Sequence, residues 1–285
     1  MPEGPEVRIL AEHLNKHYKD HIITDVQVPS NLKHNDLNPI INHKINNIIS
    51  YGKSILFITD NGLLESKLAM EGKWLRRPGL YTKVIMQLLY INHITNITFN
   101  KVLYFDDMRN FGSLMYHNDY QDLTSRVGFD LLQYAIDSSD LITATNNLLD
   151  HYIKTIRKHN NIDVTSFIMN QKYFSGVGNY LKAEILYMCN LYPGAKLIEL
   201  TDQDCCNMLY HSLDLILQAY RGGGLTIRTY QNPSGIKGTF NTKVYNQSKD
   251  PNGYPIVKQE FQDKRTTHYC PTIQILHSPI ITHTE

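Results

Sequence analysis

Two glutamates and two prolines crowd the first six residues, MPEGPE, a concentration of acid–base and backbone chemistry that a chain end rarely carries. Pro5 has its φ pre-set for the first turn of a helix, and Glu6 suits the positive end of the helix dipole. Pro2 and Glu3 precede that helix, where chains are usually frayed and tolerant of change, so helix formation leaves them unexplained. A second candidate is the stretch SGVGNYLKAEILY. Gly176 and Gly178 permit a tight turn, Asn179 can cap the helix that begins there, and the free N–H groups of the helix start could seat a phosphate. An ordinary helix junction reads the same way. Lys53 follows Gly52 in a turn between apolar runs, and Arg265 sits at a hairpin tip; a solvated cation and a phosphate contact both fit such positions.

The elements that must position these residues fall into three stretches. Val7, Leu10, Leu14 and Tyr18 give the first helix an apolar face. The next hundred residues read as short strands: HKINNIIS and SILFITD around the turn at Tyr51 and Gly52, then KVIMQLLYI, KVLYFDD and NFGSLMY. Many short strands imply a sandwich or barrel. Beyond Gln121 the spacing turns helical, in SSDLITATNNLLDHYIKTIRK, DVTSFIMNQ, NYLKAEILYMC and TDQDCCNMLYHSLDLILQAY, the last with Thr201 as a cap and Asp204 three residues on. The tail holds a glycine-rich loop, RGGGLTIRTYQNPSGIKGTFN, followed by PIVKQEFQ and TTHYCPTIQIL, two alternating runs around the turn Asp263–Lys264–Arg265. The expected fold class is α+β, with a β-sandwich domain over 1–120, a helical domain over 121–235 and a β-hairpin over 236–285.

Bulk properties bound the function class. The 285 residues suffice for two domains, and 42% hydrophobic with 19% charged content is that of a soluble globular protein. No run reaches the apolar length of a membrane span, and the first residues lack the apolar core of a signal peptide, so an intracellular address is expected. The net charge is only +1, but from Tyr220 onward eight basic residues face four acids, which gives the last quarter a positive field suited to phosphates or simply to solvent. Cys189, Cys205, Cys206 and Cys270 show no C-x-x-C spacing, so neither a disulfide framework nor a cysteine zinc site is indicated. Abundant Asn, Ile, Tyr and Lys suggest an A+T-rich genome.

Five short motifs in one order resolve these alternatives. MPEGPE, SYGKSILF, DDMRNFGSL, GVGN and KRTTHYCPTIQ together closely resemble the formamidopyrimidine-DNA glycosylase and endonuclease VIII (Fpg/Nei) family, from Pro2 to Gln274. The resemblance implies a β-sandwich, a helix-two-turns-helix domain and a DNA-binding β-hairpin finger. It also implies a base-excision-repair enzyme that is both glycosylase and AP lyase, cleaving the strand by β,δ-elimination. It gives Pro2 a role: once the initiator methionine is removed, its secondary amine attacks C1′ of the damaged nucleotide. An α-amino group titrates near pH 8, so a useful fraction is neutral and nucleophilic at physiological pH. Glu3 is then the general acid at the sugar ring oxygen, Glu6 stands close behind it, and Lys53 contacts the phosphate beside the extruded nucleotide.

The same resemblance assigns Asn179, Arg265 and Lys67 to DNA contacts, and Met70, Arg109 and Phe111 to the void left by a flipped base. Arg228, Thr229 and Tyr230 fall in the loop expected to cover that base. Damaged DNA, double- or single-stranded, is the expected partner of a monomer that needs no cofactor and no membrane. The finger departs from the family, which mostly holds it with four cysteines on one zinc. Only Cys270 remains here, with Ile273 where the last cysteine would stand, so a zincless finger and no metal are expected. That trait points to the endonuclease VIII-like branch and, with the composition, to a giant virus; the compartment would be a nucleus or viral replication site, or the cytoplasm of a bacterium. Oxidised pyrimidines and ring-opened purines are the favoured lesions. An 8-oxoguanine-preferring enzyme, or an inactive DNA-binding protein on the same scaffold, is the alternative. Without zinc, Val257, Phe261 and Tyr269 are expected to hold Arg265 in place.

Overall fold

Val7, Leu10, Leu14 and Tyr18 line the buried face of helix α1 (Gly4–Tyr18) in the computed structural model, which describes residues 2–225 and 238–275. The described residues fall into two compact units, the first ending at Arg126 and the second beginning at Val127.

After α1 the first unit runs through β1 (Ile22–Gln27), β2 (Lys33–His34), β3 (Ile45–Tyr51), β4 (Ser54–Thr59), β5 (Gly62–Lys67), β6 (Lys73–Leu75), β7 (Thr82–Asn92), β8 (Ile97–Asp106) and β9 (Ser113–His117), and then the short helix α2 (Tyr120–Thr124). These strands form a four-stranded sheet in the order β1-β7-β8-β6 and a five-stranded sheet in the order β2-β9-β5-β4-β3. All pairings are antiparallel except β2 with β9. Side chains alternate along each strand. Ile48, Ile55, Phe57 and Leu64 of the larger sheet therefore share one core with Val84, Met86, Leu103 and Phe105 of the smaller one and with the apolar face of α1. Trp74 ties the layers together: its ring meets Phe57 edge-on at 5.5 Å and its Nε1–H donates to Ser66 Oγ at 3.0 Å. This is the expected sandwich. The run GLLESK, which sequence patterning left unassigned, is the central strand β5.

The second unit contains β10 (Phe129–Asp130), α3 (Leu131–Asp137), α4 (Leu141–Lys158), α5 (Val164–Met169), β11 (Phe174–Ser175), α6 (Asn179–Met188), α7 (Asp202–Arg221), β12 (Val257–Glu260) and β13 (Thr266–Tyr269). Every helix of this unit except α6 has a side-chain cap at its N-terminus. Asp130, Asp140 and Asp163 accept backbone N–H groups at the starts of α3, α4 and α5, and Thr201 with Asp204 forms a reciprocal box at α7. Helices α5 and α6 flank residues 170–178, where a turn at 171–173 is followed by Gly176 at φ +106°, the two-turn connection expected of this segment. Helix α6 is buried on nearly every side, and its apolar residues join those of α4 and α7 in the main core of this unit. The finger strands β12 and β13 pair antiparallel from Val257↔Tyr269 to Glu260↔Thr266. Among the described residues no helix is long and apolar enough to cross a membrane.

Candidate active site and nucleic-acid interface

The opening residues acquire a structural role that the sequence did not disclose. Glu3 is the N-cap of α1 and Glu6 its third residue. Glu6 Oε2 accepts the Glu3 backbone N–H at 2.9 Å, closing a capping box that fixes the chain at Pro2. Both carboxyl side chains are shut away from solvent, at 1% and 2% exposure, while Pro2 is half-buried. The expectation that Glu3 lies in a frayed end unused by the helix is therefore corrected: the helix dipole and the orphan N–H groups of the first turn recruit it. Glu6 braces the backbone of Glu3.

Lys53 occupies the second position of the two-residue β3–β4 turn. Gly52 ahead of it has φ +56°, the left-handed conformation such a hairpin turn demands. Behind this turn, on the sheet face away from the sandwich core, lies a buried carboxylate that sequence reading missed. Glu65 Oε1 accepts from Ser54 Oγ at 2.6 Å and lies 3.2 Å from Lys67 Nζ; its Oε2 is 3.1 Å from His117 Nε2. Burial opposes its ionisation, yet the Ser54 hydroxyl, the Lys67 ammonium and His117 outweigh burial and hold the carboxyl below the usual range. Lys67 is half exposed, so its remaining donors face outward from a fixed base.

Met70, Arg109 and Phe111 are surface residues, although Met70 and Phe111 taken singly would suit a core. Met70 is 40% and Phe111 62% exposed. Arg109 Nε lies 3.4 Å from Glu71 Oε1, and its Nη1 is 3.6 Å from Met70 Sδ, which brings the methionine and the guanidinium together. Asp107 shapes the loop that carries Arg109 and Phe111, accepting Arg109 N–H at 3.2 Å and Gly112 N–H at 2.7 Å. A Cβ at Gly112 would stand 2.8 Å from the Phe105 ring and 2.9 Å from the Lys67 carbonyl, so only glycine lets this loop close onto β5.

In the second unit Asn179 is the first residue of α6 rather than its cap. Gly178 takes the cap position in extended geometry, and the Asn179 amide instead donates to the Thr266 carbonyl of the finger at 3.0 Å. Arg265 is exposed on the β12–β13 turn. Phe261 and Tyr269 pack with Tyr192 as an edge-to-face aromatic set with centroids 5.7–5.8 Å apart. Val257 pairs with Tyr269 across the hairpin and so shares its face, yet it is exposed like every residue of β12. Arg228, Thr229 and Tyr230 lie outside the described residues.

The finger does not fit the zinc that the fold family implies. Cys270 is fully buried as a free thiol, packed with Ala183, Tyr187 and Val244. Among the described residues no group of three or more His, Cys, Asp or Glu side chains could hold a metal ion. His268 on β13 is buried beside the Tyr245 ring, and burial, reinforced by Lys258 and Lys182, pushes its imidazole below the usual range.

Residues 1–114 match the family profile described as Formamidopyrimidine-DNA glycosylase N-terminal domain. Over 96% of the chain the sequence is 28% identical to the formamidopyrimidine-DNA glycosylase of Ureaplasma parvum, all of which is covered, and 29% identical to that of Oceanobacillus iheyensis, 98% of which is covered. The N-terminal 114 residues thus carry a formamidopyrimidine-DNA glycosylase N-terminal domain, and nearly the whole chain is similar to proteins of that name. Solved structures agree on the fold. The MutM (Fpg) protein of Thermus thermophilus superposes with a TM-score of 0.81 at 23% identity, covering 96% of this chain and 98% of that one. A Lactococcus lactis FPG mutant in complex with a Fapy-dG containing DNA superposes with a TM-score of 0.78 at 21% identity, covering 96% and 99%.

Proposed function

We propose that this protein is a base-excision-repair DNA glycosylase with AP-lyase activity that uses Pro2 as its nucleophile. The observation that carries the reading is the capped helix start: Glu3 and Glu6 hold each other at the foot of α1, directly after the proline. Once Met1 is removed, the Pro2 nitrogen lone pair forms a bond to C1′. The glycosidic bond breaks with its electron pair leaving on the base, which takes up a proton. Glu3 protonates the ring oxygen as the sugar opens to an iminium. Loss of a C2′ proton then expels the 3′ phosphate, and a second elimination expels the 5′ phosphate.

Lys53, Lys67, Asn179 and Arg265 serve as phosphate contacts, which position DNA without reading sequence. Met70, Arg109 and Phe111 fill the void of the flipped nucleotide, a role that their exposure supports. Arg228, Thr229 and Tyr230 cover the extruded base. Ring-opened purines and oxidised pyrimidines are the substrates, the former in keeping with the names of the relatives. Cys270, standing alone in an apolar cluster, supports an endonuclease VIII-like zincless finger, and the Asn- and Lys-rich composition supports a viral source. The test is borohydride trapping on duplexes carrying one Fapy-dG or one oxidised pyrimidine. Protein with a free Pro2 amine forms a covalent adduct, and an N-terminal extension abolishes it while DNA affinity stays within about twofold. Undiminished trapping by the extended protein would overturn the assignment.

A further inference from the structure

The loop that presents Arg265 is fastened at three points, each to a different side chain of the helical unit. Gln262 exchanges two hydrogen bonds with Asp163: its N–H donates to Asp163 Oδ2 at 2.9 Å and its Oε1 accepts Asp163 N–H at 2.8 Å. Asp263 Oδ2 accepts from Lys182 Nζ at 2.5 Å, and Asp263 Oδ1 accepts the Arg265 backbone N–H at 3.1 Å. Thr266 is tied through its carbonyl to Asn179. Only Lys264 and Arg265 project from between these anchors.

The central anchor is chemically expensive. Lys182 lies in the middle of α6 with its side chain 0% exposed, and the Asp263 side chain is 3% exposed. An ammonium and a carboxylate taken out of water repay their desolvation only with close geometry, and a pair of apolar residues would hold the same space at least as well. What an ion pair supplies that apolar packing does not is direction. One carboxylate oxygen faces the helix and the other fixes the peptide N–H of Arg265. The metal that the fold family uses to rigidify this finger has no ligand set among the described residues, and the pair stands where rigidity is required.

We propose that the buried Lys182–Asp263 ion pair is the clamp that orients Arg265 toward DNA, in place of a structural metal, with Lys182 and Asp263 as positioning residues. The proposal rests on the reading of Arg265 as a phosphate contact, and two readouts separate them. The first is anisotropy of a duplex holding a stable abasic analogue, titrated with salt. Arg265→Ala weakens binding about tenfold and lowers the log-log salt slope by about one. Asp263→Asn keeps the hydrogen bond to the Arg265 N–H but breaks the ion pair; it weakens binding by at least fivefold, and the Asp263→Asn/Arg265→Ala double variant binds no worse than Arg265→Ala alone. The second is amide hydrogen exchange without DNA. Asp263→Asn and Lys182→Met accelerate exchange at Lys264–Thr266 at least tenfold, while Arg265→Ala does not.

Wild-type exchange in Asp263→Asn, or multiplying losses in the double variant, overturns the clamp. A wild-type salt slope in Arg265→Ala overturns the phosphate reading alone. Should the single variants fail to fold, Lys182→Met/Asp263→Leu replaces the pair with apolar groups and restores folding. That variant must still show the faster exchange and weaker binding, and wild-type behaviour in it refutes the clamp.

Discussion

Replacing Glu65 with glutamine tests whether the buried carboxylate under the Lys53 turn stabilises the sandwich through its charge. Three groups face it: Ser54 at 2.6 Å, His117 at 3.1 Å and Lys67 at 3.2 Å. A hydrogen bond to a charged acceptor contributes about 1.5–3 kcal/mol when buried, which applies to Ser54 and His117. The contact to half-exposed Lys67 is screened by solvent and adds below about 1 kcal/mol. Glutamine keeps the shape and one carbonyl acceptor but turns an NH2 toward groups that donate, so Glu65→Gln should cost about 2–4 kcal/mol at pH 7. The sign of the pH dependence follows from the depressed carboxyl. A group held below its ordinary value of 4.5 stabilises the fold above that pH, and the contribution is lost as pH falls through its folded value. Urea unfolding of wild type and Glu65→Gln, followed by Trp74 fluorescence, should show the full difference at pH 7 and a smaller one at an acidic pH well below the ordinary carboxylate value of 4.5. An equal difference at the two pH values would refute the charge argument.

Three further expectations follow from the site. Glu6→Ala removes the brace on Glu3 and one cap partner, so it should cost about 0.5–2 kcal/mol in thermal unfolding and slow base release more than tenfold; retention of the wild-type single-turnover rate would detach Glu3 from its cap. Phe111→Ala, at a largely exposed position, should leave stability within about 0.5 kcal/mol yet slow excision of an intact lesion far more than cleavage of a preformed abasic site. Equal slowing of both reactions would count against a wedge. Gly52→Val forces a β-branched residue into a left-handed turn at a cost of about 1–3 kcal/mol and displaces Lys53, so trapping efficiency and melting temperature should fall together.

The sandwich was legible because apolar periodicity is a local signal. HKINNIIS, SILFITD, KVIMQLLYI and KVLYFDD became β3, β4, β7 and β8, and the Thr201 box marked the start of α7. Elements were missed where the signal is weak or contradicted. β5 carries Glu65 and Lys67, which read as solvent-facing until a network buries one of them. α3 has only seven residues, and its cap Asp130 also belongs to the two-residue strand β10. Glu3 escaped notice as a cap because glutamate lacks the short side chain that usually marks that position. The clamp was invisible for another reason. Lys182 and Asp263 lie 81 positions apart, and nothing in either neighbourhood specifies a charge opposite it.

The apolar seat of Cys270 has a consequence for the conditions under which such an enzyme works. Zinc-bound thiolates are themselves targets of peroxide, which converts them to sulfenic and higher acids and releases the metal. The oxidants that create damaged bases would in this way disarm a cysteine-built finger during the same assault. An ammonium–carboxylate pair has no sulfur to lose, and the thiol retained nearby is walled off by Ala183, Tyr187 and Val244. Repair capacity in this chain should therefore persist through an oxidative burst or zinc starvation that would silence a metal-dependent counterpart.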